Sequence, residues 1–366
     1  MSISRRDYLR TVAGVVAGAS FLSADTGTSA PGMPGAYRGK VIAVKHNNCI
    51  RKEAFQATAI NAMVSRGMCD LTGATDQTEA WRSFFSPGDV VGIKMSPVGQ
   101  PFVCSSPEML NAIIAGVVSA GVKLTDIVVY ERYRSNVDST GLTHWVPPGV
   151  RVTWAAPEYS GNQMGMDGYD PDHFVELPFV MPGESLTDPR ANRSFAATFV
   201  TREINKLINV PSLKSHNAAG VTLALKSLSH GLVNNVNRSH DGPELRIADF
   251  IPGVVSMPVI RQKTVLNILD GTKGLYHGGP GIMNDDYVWE HKTAYFATDP
   301  VALDRIGLTV IEAQRKKNHL KSVGAYAVDD VWKSPHRQPE HIDNAGKAGL
   351  GEWDLAKIQL KSVELK

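Results

Sequence analysis

Short apolar runs alternate with longer helical patterns along most of this chain. Five runs are rich in β-branched residues, as strands inside a covered sheet are, and they lie at residues 41–45, 90–94, 127–130, 207–210 and 265–269. Between them, Ser106-Pro107 begins one helical pattern and Asp299-Pro300 begins another. Strands that alternate with helices pair in parallel through crossover connections. The pattern therefore predicts an α/β fold with a mostly parallel sheet.

One segment, residues 141–194, breaks the alternation. It is rich in Pro, Gly, Asp and Asn, with aromatic residues spread through it. Such a composition predicts an irregular excursion from the sheet, and one role for such an excursion is a lid. The excursion either divides an α/β domain at residues 38–365 into two lobes, 38–150 and 195–365, or lies within one domain.

The first 35 residues predict an export signal and a linker. Ser4-Arg5-Arg6-Asp7-Tyr8-Leu9-Arg10 precedes a weakly hydrophobic run at residues 11–24, and this arrangement resembles a twin-arginine export signal. The run is shorter than the ~20 residues of a membrane span, so we expect no stable transmembrane segment. We expect a periplasmic or otherwise exported protein with the twin-arginine translocase as a partner. The alternative is a basic first helix of the fold.

Charge and cysteine content exclude several functions. The formal net charge is +2, and the first ten residues alone account for it, so the rest gives no reason to expect nucleic-acid binding. Cys49, Cys69 and Cys104 have no close spacing, so an iron–sulfur cluster is not expected. The glycine-rich nucleotide motifs and the G-x-S-x-G motif are absent, which disfavours common nucleotide-dependent enzymes and α/β-hydrolases.

The most informative chemistry follows the fourth apolar run. That predicted strand ends at Pro211, and a polar loop with Lys214 and His216 follows it. Ligands of open α/β sheets collect outside the carboxyl ends of strands, which is where this loop would lie. An amphipathic helix is predicted to begin near Asn217, and the free N–H groups of a helix start favour an anion.

The predicted helix continues the polar pattern. Thr222, Lys226 and His230 have the spacing of residues on one helix face. If that face meets the preceding loop, two lysines and two histidines surround one space, which suits an anion or carboxylate and proton transfer by imidazole. The alternative is that Lys226 and His230 face solvent while the leucines of the helix face the core.

Other strand ends add candidates. Asp270 follows the fifth run and precedes a glycine, as a metal ligand, a ligand for sugar hydroxyls or an Asx turn would. Lys94 and Glu131-Arg132 follow two earlier strands. His240-Asp241 with Arg238 could add a metal ligand. A divalent metal held by scattered residues stays open, although no H-E-x-x-H or similar signature appears.

Several blocks of sequence resemble one known family. Asn-Val-Pro-Ser-Leu-Lys-Ser-His at 209–216 and Gly-Val-Thr-Leu-Ala-Leu-Lys-Ser-Leu at 220–228 resemble the core motif of the domain of unknown function 362 family. Further blocks follow in the same order, and they lie at residues 87–94, 269–274, 278–280, 297–304 and 349–351. Many members carry cysteine-rich ferredoxin-like segments, which this chain lacks.

A shorter stretch is similar to a second family. Pro211 to His216, followed by Gly220 and Lys226, is similar to the strand–loop–helix of nickel-pincer lactate racemases. This resemblance implies that His216 is a proton-transfer base and that Lys226 anchors a cofactor.

We therefore expect an exported enzyme that uses a cleft of lysines and histidines for acid/base or metal-assisted chemistry on a small anionic substrate. The predicted catalytic residues are His216, His230 and Lys226; the predicted anion or cofactor ligands are Lys94, Lys214, Thr222 and Asp270; the predicted metal ligands are His216, His230 and Asp270. One alternative is a non-catalytic periplasmic solute- or cofactor-binding protein. The other is a racemase- or epimerase-like enzyme with a lysine-anchored cofactor.

Overall fold

The computed structural model describes residues 32–161, 163–185, 187–240, 245–282, 284–325 and 337–366. From Pro31 to Lys366 the chain forms one unit. Almost all of the predicted export signal and linker lies outside the described residues. Within the described part of the chain, no helix has both the length and the apolar character needed to cross a membrane.

Strands and helices alternate as the apolar pattern predicts. The strands are β1 (Lys40–His46), β2 (Ile50–Arg51), β3 (Ala54–Phe55), β4 (Val91–Lys94), β5 (Ile127–Tyr130), β6 (Arg151–Thr153), β7 (Tyr169–Glu176), β8 (Arg193–Ala197), β9 (Lys206–Asn209), β10 (Ser212–His216), β11 (Gly220–Val221), β12 (Thr264–Leu275), β13 (Val288–Trp289), β14 (Thr293–Ala297) and β15 (Gln359–Leu365). The helices are α1 (Ala57–Thr72), α2 (Gln77–Arg82), α3 (Pro107–Ser119), α4 (Arg134–Thr140), α5 (Leu223–His230), α6 (Ile247–Val255), α7 (Pro258–Lys263), α8 (Pro300–Lys317) and α9 (His341–Lys347). All five predicted strands are present.

Eleven of the described strands form one sheet. Its main order is β15-β1-β14-β12-β9-β4-β5-β6; β10 and β13 also pair with β12, and β11 pairs with β10. The neighbours β12, β9, β4, β5 and β6 all run parallel, whereas β14 is antiparallel to both β1 and β12. The prediction of an α/β fold with a mostly parallel sheet is confirmed.

The sheet has a hydrophobic core on each face. Along β1, Val41 and Ala43 pack into one cluster, while Ile42 and Val44 pack into the other, because successive side chains of a strand point to opposite faces. The predicted helix caps also form. The Ser106 hydroxyl accepts a hydrogen bond from the Met109 N–H at the start of α3.

The prediction that a helix begins near Asn217 is wrong. Lys214 and His216 lie on β10, which pairs in parallel with β12 and forms a hairpin with β11. Helix α5 begins only at Leu223. Gly220 has φ +80°, a conformation that glycine adopts readily and that lets the chain reverse before the helix.

The segment at 141–194 is irregular over most of its length, but it also contributes regular structure. It supplies β6 at one edge of the main sheet and β7, which pairs with β8 in a separate two-stranded sheet. The main sheet takes β4 and β5 from the first predicted lobe and β9 and β12 from the second. The division into lobes itself stays a prediction.

Candidate functional site

The strand order reverses direction between β4 and β9. From β4 the chain continues to β5 on one side, and it returns to the other side at β9. Such a switch point leaves a crevice at the carboxyl ends of the strands, where ligands of open α/β sheets bind. Lys94 ends β4 opposite Asn209, and Glu131 and Arg132 follow β5 directly.

Lys94 is held in a buried ion pair at this switch point. Its Nζ lies 3.1 Å from Glu131 Oε2, and both side chains are 6% exposed. The same Nζ donates to the Met95 carbonyl at 2.6 Å. Gly231 passes so close that a Cβ there would lie 2.2 Å from Lys94 Cε. The end of α5 is therefore packed directly against this lysine.

The start of α5 is fixed by an acid from another helix. The Asp304 carboxylate accepts hydrogen bonds from the N–H groups of Ala224 at 2.7 Å and Leu225 at 2.9 Å. Burial raises the pKa of Asp304 well above its ordinary value. We expected the free N–H groups at the helix start to bind an external anion. That expectation is wrong for these two N–H groups, because the Asp304 carboxyl group of the protein itself accepts their hydrogen bonds. Leu223 has φ +43°, a backbone strain of about 1–3 kcal/mol that the packed surroundings hold in place.

Lys226 is buried on α5 without a hydrogen-bond or ion-pair acceptor among the described residues. Its exposed fraction is 9%, and that of His230 is 8%. The alternative of a solvent-facing pair is therefore excluded. Burial, together with the positive charges of Lys214, Arg132 and Lys94, lowers the pKa of Lys226 to about 7.

Two further cations lie beside Lys226. Lys214 Nζ donates to the Val98 carbonyl at 2.6 Å, and burial lowers the pKa of Lys214 to about 8. Arg132 donates to Tyr169 Oη and to Gln163 Oε1, both of which belong to the irregular segment. Within the described part of the chain, neither cation has a carboxylate partner.

His216 is a neutral imidazole with a fixed tautomer. Its Nδ1 accepts hydrogen bonds from the N–H groups of Ala218 at 3.0 Å and Ala219 at 3.2 Å. Burial and the charge of Lys226 lower the pKa of His216 well below its ordinary value. Because Nδ1 accepts, the single ring proton lies on Nε2. His216 can therefore donate a hydrogen bond from Nε2.

His230 and His240 form a second imidazole group linked by hydroxyls. His230 contacts Ser229 Oγ at 3.0 Å and Ser239 Oγ at 3.1 Å, and Ser239 Oγ lies 2.9 Å from His240 Nδ1. The ring centroid of His240 is 4.8 Å from that of His230 and 5.6 Å from that of His216. Burial lowers the pKa of His240 to about 3. All three imidazoles are neutral at pH 7.

His341 on α9 has the opposite tautomer. Its Nδ1 donates to the Gln338 carbonyl at 2.9 Å, which leaves the lone pair on Nε2. That Nε2 is buried and has no hydrogen-bond partner among the described residues, as is also true of Thr222 Oγ1 and Ser227 Oγ on α5. Burial lowers the pKa of His341 to about 4, and the charge of Lys226 contributes to the shift. Buried polar atoms without partners are rare outside functional sites.

Electrostatic interactions link nine of these residues, and Thr222 joins them because its N–H donates to the Lys214 carbonyl at 2.9 Å. We name the group the basic cluster: Lys94, Glu131, Arg132, Lys214, His216, Thr222, Lys226, His230, His240 and His341. Six of the seven predicted site residues belong to it. Arg132 follows β5 as Lys94 ends β4, so the strand-end rule that selected Lys94 also points to it. His341 lies far along the chain, and nothing in the sequence linked it to the others.

Asp270, the seventh predicted residue, has its oxygens engaged elsewhere. Its carboxylate accepts from Ser106 N and Oγ and from Thr272 N and Oγ1 at 2.6–3.0 Å. Among the described residues, no group of three or more His, Cys, Asp or Glu side chains is placed to hold a metal ion. A metal set of His216, His230 and Asp270 stays a prediction without geometric support. Asp241 lies outside the described residues.

Comparison with known proteins identifies a family. A family model described as "Domain of unknown function (DUF362)" matches residues 91–309, which run from the start of β4 into α8. No curated protein matches the sequence. Among solved structures, a crystal structure of a Thermotoga maritima protein shares 8% sequence identity and a TM-score of 0.34 over 73% of this chain. This chain covers 60% of that protein's chain.

Proposed function

The chain belongs to the family described as Domain of unknown function (DUF362), and we propose that it is an enzyme that binds a small anionic substrate in the basic cluster and transfers protons on it. One observation carries the proposal. Lys226 is buried on α5, Arg132 donates to the His230 carbonyl at the end of this helix at 3.1 Å, and the Lys214 carbonyl accepts from the Thr222 N–H just before its start at 2.9 Å. Within the described residues, none of these three cations pairs with a carboxylate.

The charge of the basic cluster supports binding of an anion. Lys94 is paired with Glu131, so the uncompensated positive charge comes from Arg132, Lys214 and Lys226. Buried charges without partners are costly in free energy. A carboxylate or phosphate group placed between these cations would offset that cost and would meet donors suited to it.

The tautomers of the imidazoles support proton transfer. His216 can donate a hydrogen bond from Nε2, whereas His341 can accept a proton at Nε2. A neutral imidazole can polarise a carbonyl through its N–H, and a second imidazole with a free lone pair can take up a proton as a general base. A non-catalytic solute-binding protein, the first alternative, would not need this pair. The racemase-like alternative assigns a base to His216, whose Nε2 already carries the ring proton.

Binding tests the first part of the proposal. Lactate, pyruvate, succinate and inorganic phosphate are titrated calorimetrically into the wild type, Lys226→Met and the exposed-lysine control Lys123→Met at pH 7. We expect at least one anion to bind the wild type and the control equally, and to bind Lys226→Met at least tenfold more weakly. If no anion binds the wild type, the proposal is refuted.

Proton transfer tests the second part. The bound carboxylate is incubated in D2O, and NMR follows exchange of the hydrogens on the carbon beside the carboxylate of lactate or succinate, or beside the carbonyl of pyruvate. We expect exchange with the wild type, and at least a tenfold slower exchange with His216→Gln or His341→Gln at similar affinity. Tight binding without any exchange would favour the solute-binding alternative.

The N-terminal residues support a proposal about location. We propose export through the twin-arginine translocase, on the strength of Arg5-Arg6 and the weakly hydrophobic run that follows. In fractionated cells, the wild type should be found outside the cytoplasm and Arg5→Lys/Arg6→Lys should be retained inside. Equal distribution of the two proteins would refute the proposed route.

A further inference from the structure

The three lysines of the basic cluster differ in what their amines contact. Lys94 Nζ is bonded to Glu131 and to the Met95 carbonyl, and Lys214 Nζ donates to the Val98 carbonyl. Lys226 Nζ has no acceptor among the described residues. It is therefore the one lysine of the three whose nitrogen is not already engaged as a hydrogen-bond donor.

The surroundings of Lys226 match those of reactive lysines. An amine becomes a nucleophile toward carbonyl groups when it is desolvated or lies beside other cations. Lys226 satisfies both conditions, since it is 9% exposed and its charge is opposed by Lys214 and Arg132. With its pKa lowered to about 7, about half of the amine is neutral at pH 7.

The other groups of the basic cluster define the partner that this amine would take. The positive charges of Arg132 and Lys214 favour a carboxylate, and each side chain has N–H groups beyond those already bonded within the protein. His216 can donate a hydrogen bond from Nε2 to a carbonyl oxygen. The hydroxyls of Thr222 and Ser227, which have no partner among the described residues, can bind further oxygens. A small molecule with a carbonyl group next to a carboxylate could bind to all of these groups.

We propose that Lys226 forms an imine with a 2-oxo carboxylate. The inference rests on the proposed anion site, and it adds the chemical class of the substrate. The neutral amine attacks the carbonyl carbon, so that a C–N bond forms. Both protons of the amine are transferred to the carbonyl oxygen, which leaves as water when the C=N bond forms. No oxidant, reductant or further reactant is needed.

The histidines complete the proton path of this step. His341 Nε2 takes each proton from the nitrogen and returns it to the oxygen, while His216 keeps its Nε2 proton and donates a hydrogen bond to that oxygen. The imine nitrogen then withdraws electrons from the neighbouring carbon, which weakens the C–H bonds there. Proton exchange at that carbon is the reaction class already proposed, so imine formation supplies its chemical reason.

Reductive trapping tests the inference. The wild type is incubated with pyruvate and sodium cyanoborohydride at pH 7, and the modified lysine is located by peptide mass spectrometry. We expect nearly stoichiometric addition of one carboxyethyl group at Lys226. Lys226→Met should carry at least tenfold less label, whereas the exposed-lysine variant Lys123→Met should be labelled like the wild type. Far-UV circular dichroism verifies that each variant is folded.

Lactate distinguishes failure of this inference from failure of the proposed function. Lactate carries a carboxylate but no carbonyl, so it should bind without becoming attached and should slow trapping of pyruvate. If lactate binds and pyruvate gives no label at Lys226, the imine is refuted and the anion site stands. Label at a different lysine also refutes the imine. If neither lactate nor pyruvate binds, the imine is refuted, and if succinate and phosphate also fail to bind, the proposed anion site fails with it.

Discussion

Replacement of Lys226 by methionine should make the protein more stable at neutral pH. Methionine has a similar length and is apolar, so Lys226→Met removes a buried ammonium without leaving a large cavity. The wild type must desolvate this charge on folding, with Lys214 and Arg132 nearby. We therefore expect the variant to lose function and to gain stability, as substitutions at strained functional sites often do.

The magnitude follows from the pKa. Lowering the pKa of Lys226 from 10.5 to about 7 corresponds to about 5 kcal/mol of unfolding free energy. Between these two pH values the unfolded chain binds this proton and the folded protein releases it, so wild-type stability rises with pH by up to about 1.4 kcal/mol per pH unit. The advantage of Lys226→Met should thus be largest, up to about 5 kcal/mol, at pH 7 and below, and should disappear near pH 10.5.

Urea denaturation at pH 6, 7, 8, 9 and 10 measures this difference. Other titrating groups are common to both proteins and cancel when the two unfolding free energies are subtracted. Lys123→Met, at an exposed position, provides the matched control and should differ little from the wild type at any pH. A difference between Lys226→Met and the wild type that stays constant from pH 7 to pH 10 would refute the proposed charge burial.

Two further substitutions test whether a residue stabilises the fold, contributes to ligand binding, or does both. Asp270→Ala leaves the buried N–H groups of Ser106 and Thr272 without their acceptor, so urea denaturation should show a loss of about 3–5 kcal/mol, while lactate affinity stays within twofold. Weakened affinity at unchanged stability would instead place Asp270 in the site. Gly231→Ala puts a Cβ 2.2 Å from Lys94 Cε, so it should cost about 1–3 kcal/mol and weaken lactate binding, whereas Gly281→Ala, with open space around it, should do neither. Equal effects of the two alanines would contradict the close packing of α5 on Lys94.

The sheet was predictable because its signals are local. Each apolar run that predicted a strand needs burial on both faces, and Ser106-Pro107 specifies a helix start through groups within one turn. The strands within residues 212–222 were not predicted, because the sequence Ser-Leu-Lys-Ser-His is not an apolar run. Its polar side chains are buried nonetheless, and two of them, Lys214 and His216, belong to the basic cluster. Functional positions are where sequence and burial disagree most.

Convergence of the site was only partly predictable. Spacing along one helix placed Lys226 and His230 together, and the strand-end rule placed Lys94 at the same edge of the sheet. The contribution of His341 depends on packing between α6 and α9, which residues 256–340 separate along the chain. No periodicity encodes such a contact, so only the folded structure reveals it.

Three buried aspartates, Asp270, Asp299 and Asp304, differ in their hydrogen bonding from Lys226 and His341. Asp299 accepts from four backbone N–H groups, which belong to Gly39, Val301, Ala302 and Glu352. Asp270 is likewise bonded to Ser106 and Thr272, and Asp304 holds the start of α5. In contrast, His341 Nε2 is buried without a partner among the described residues, and Lys226, which is 9% exposed, has no hydrogen-bond acceptor among them. Carboxyl groups whose oxygens accept backbone hydrogen bonds stabilise the backbone around the basic cluster, whereas the groups without partners can still bind a ligand or water. In the function that we propose, the bases therefore supply the chemistry and the acids hold those bases in place.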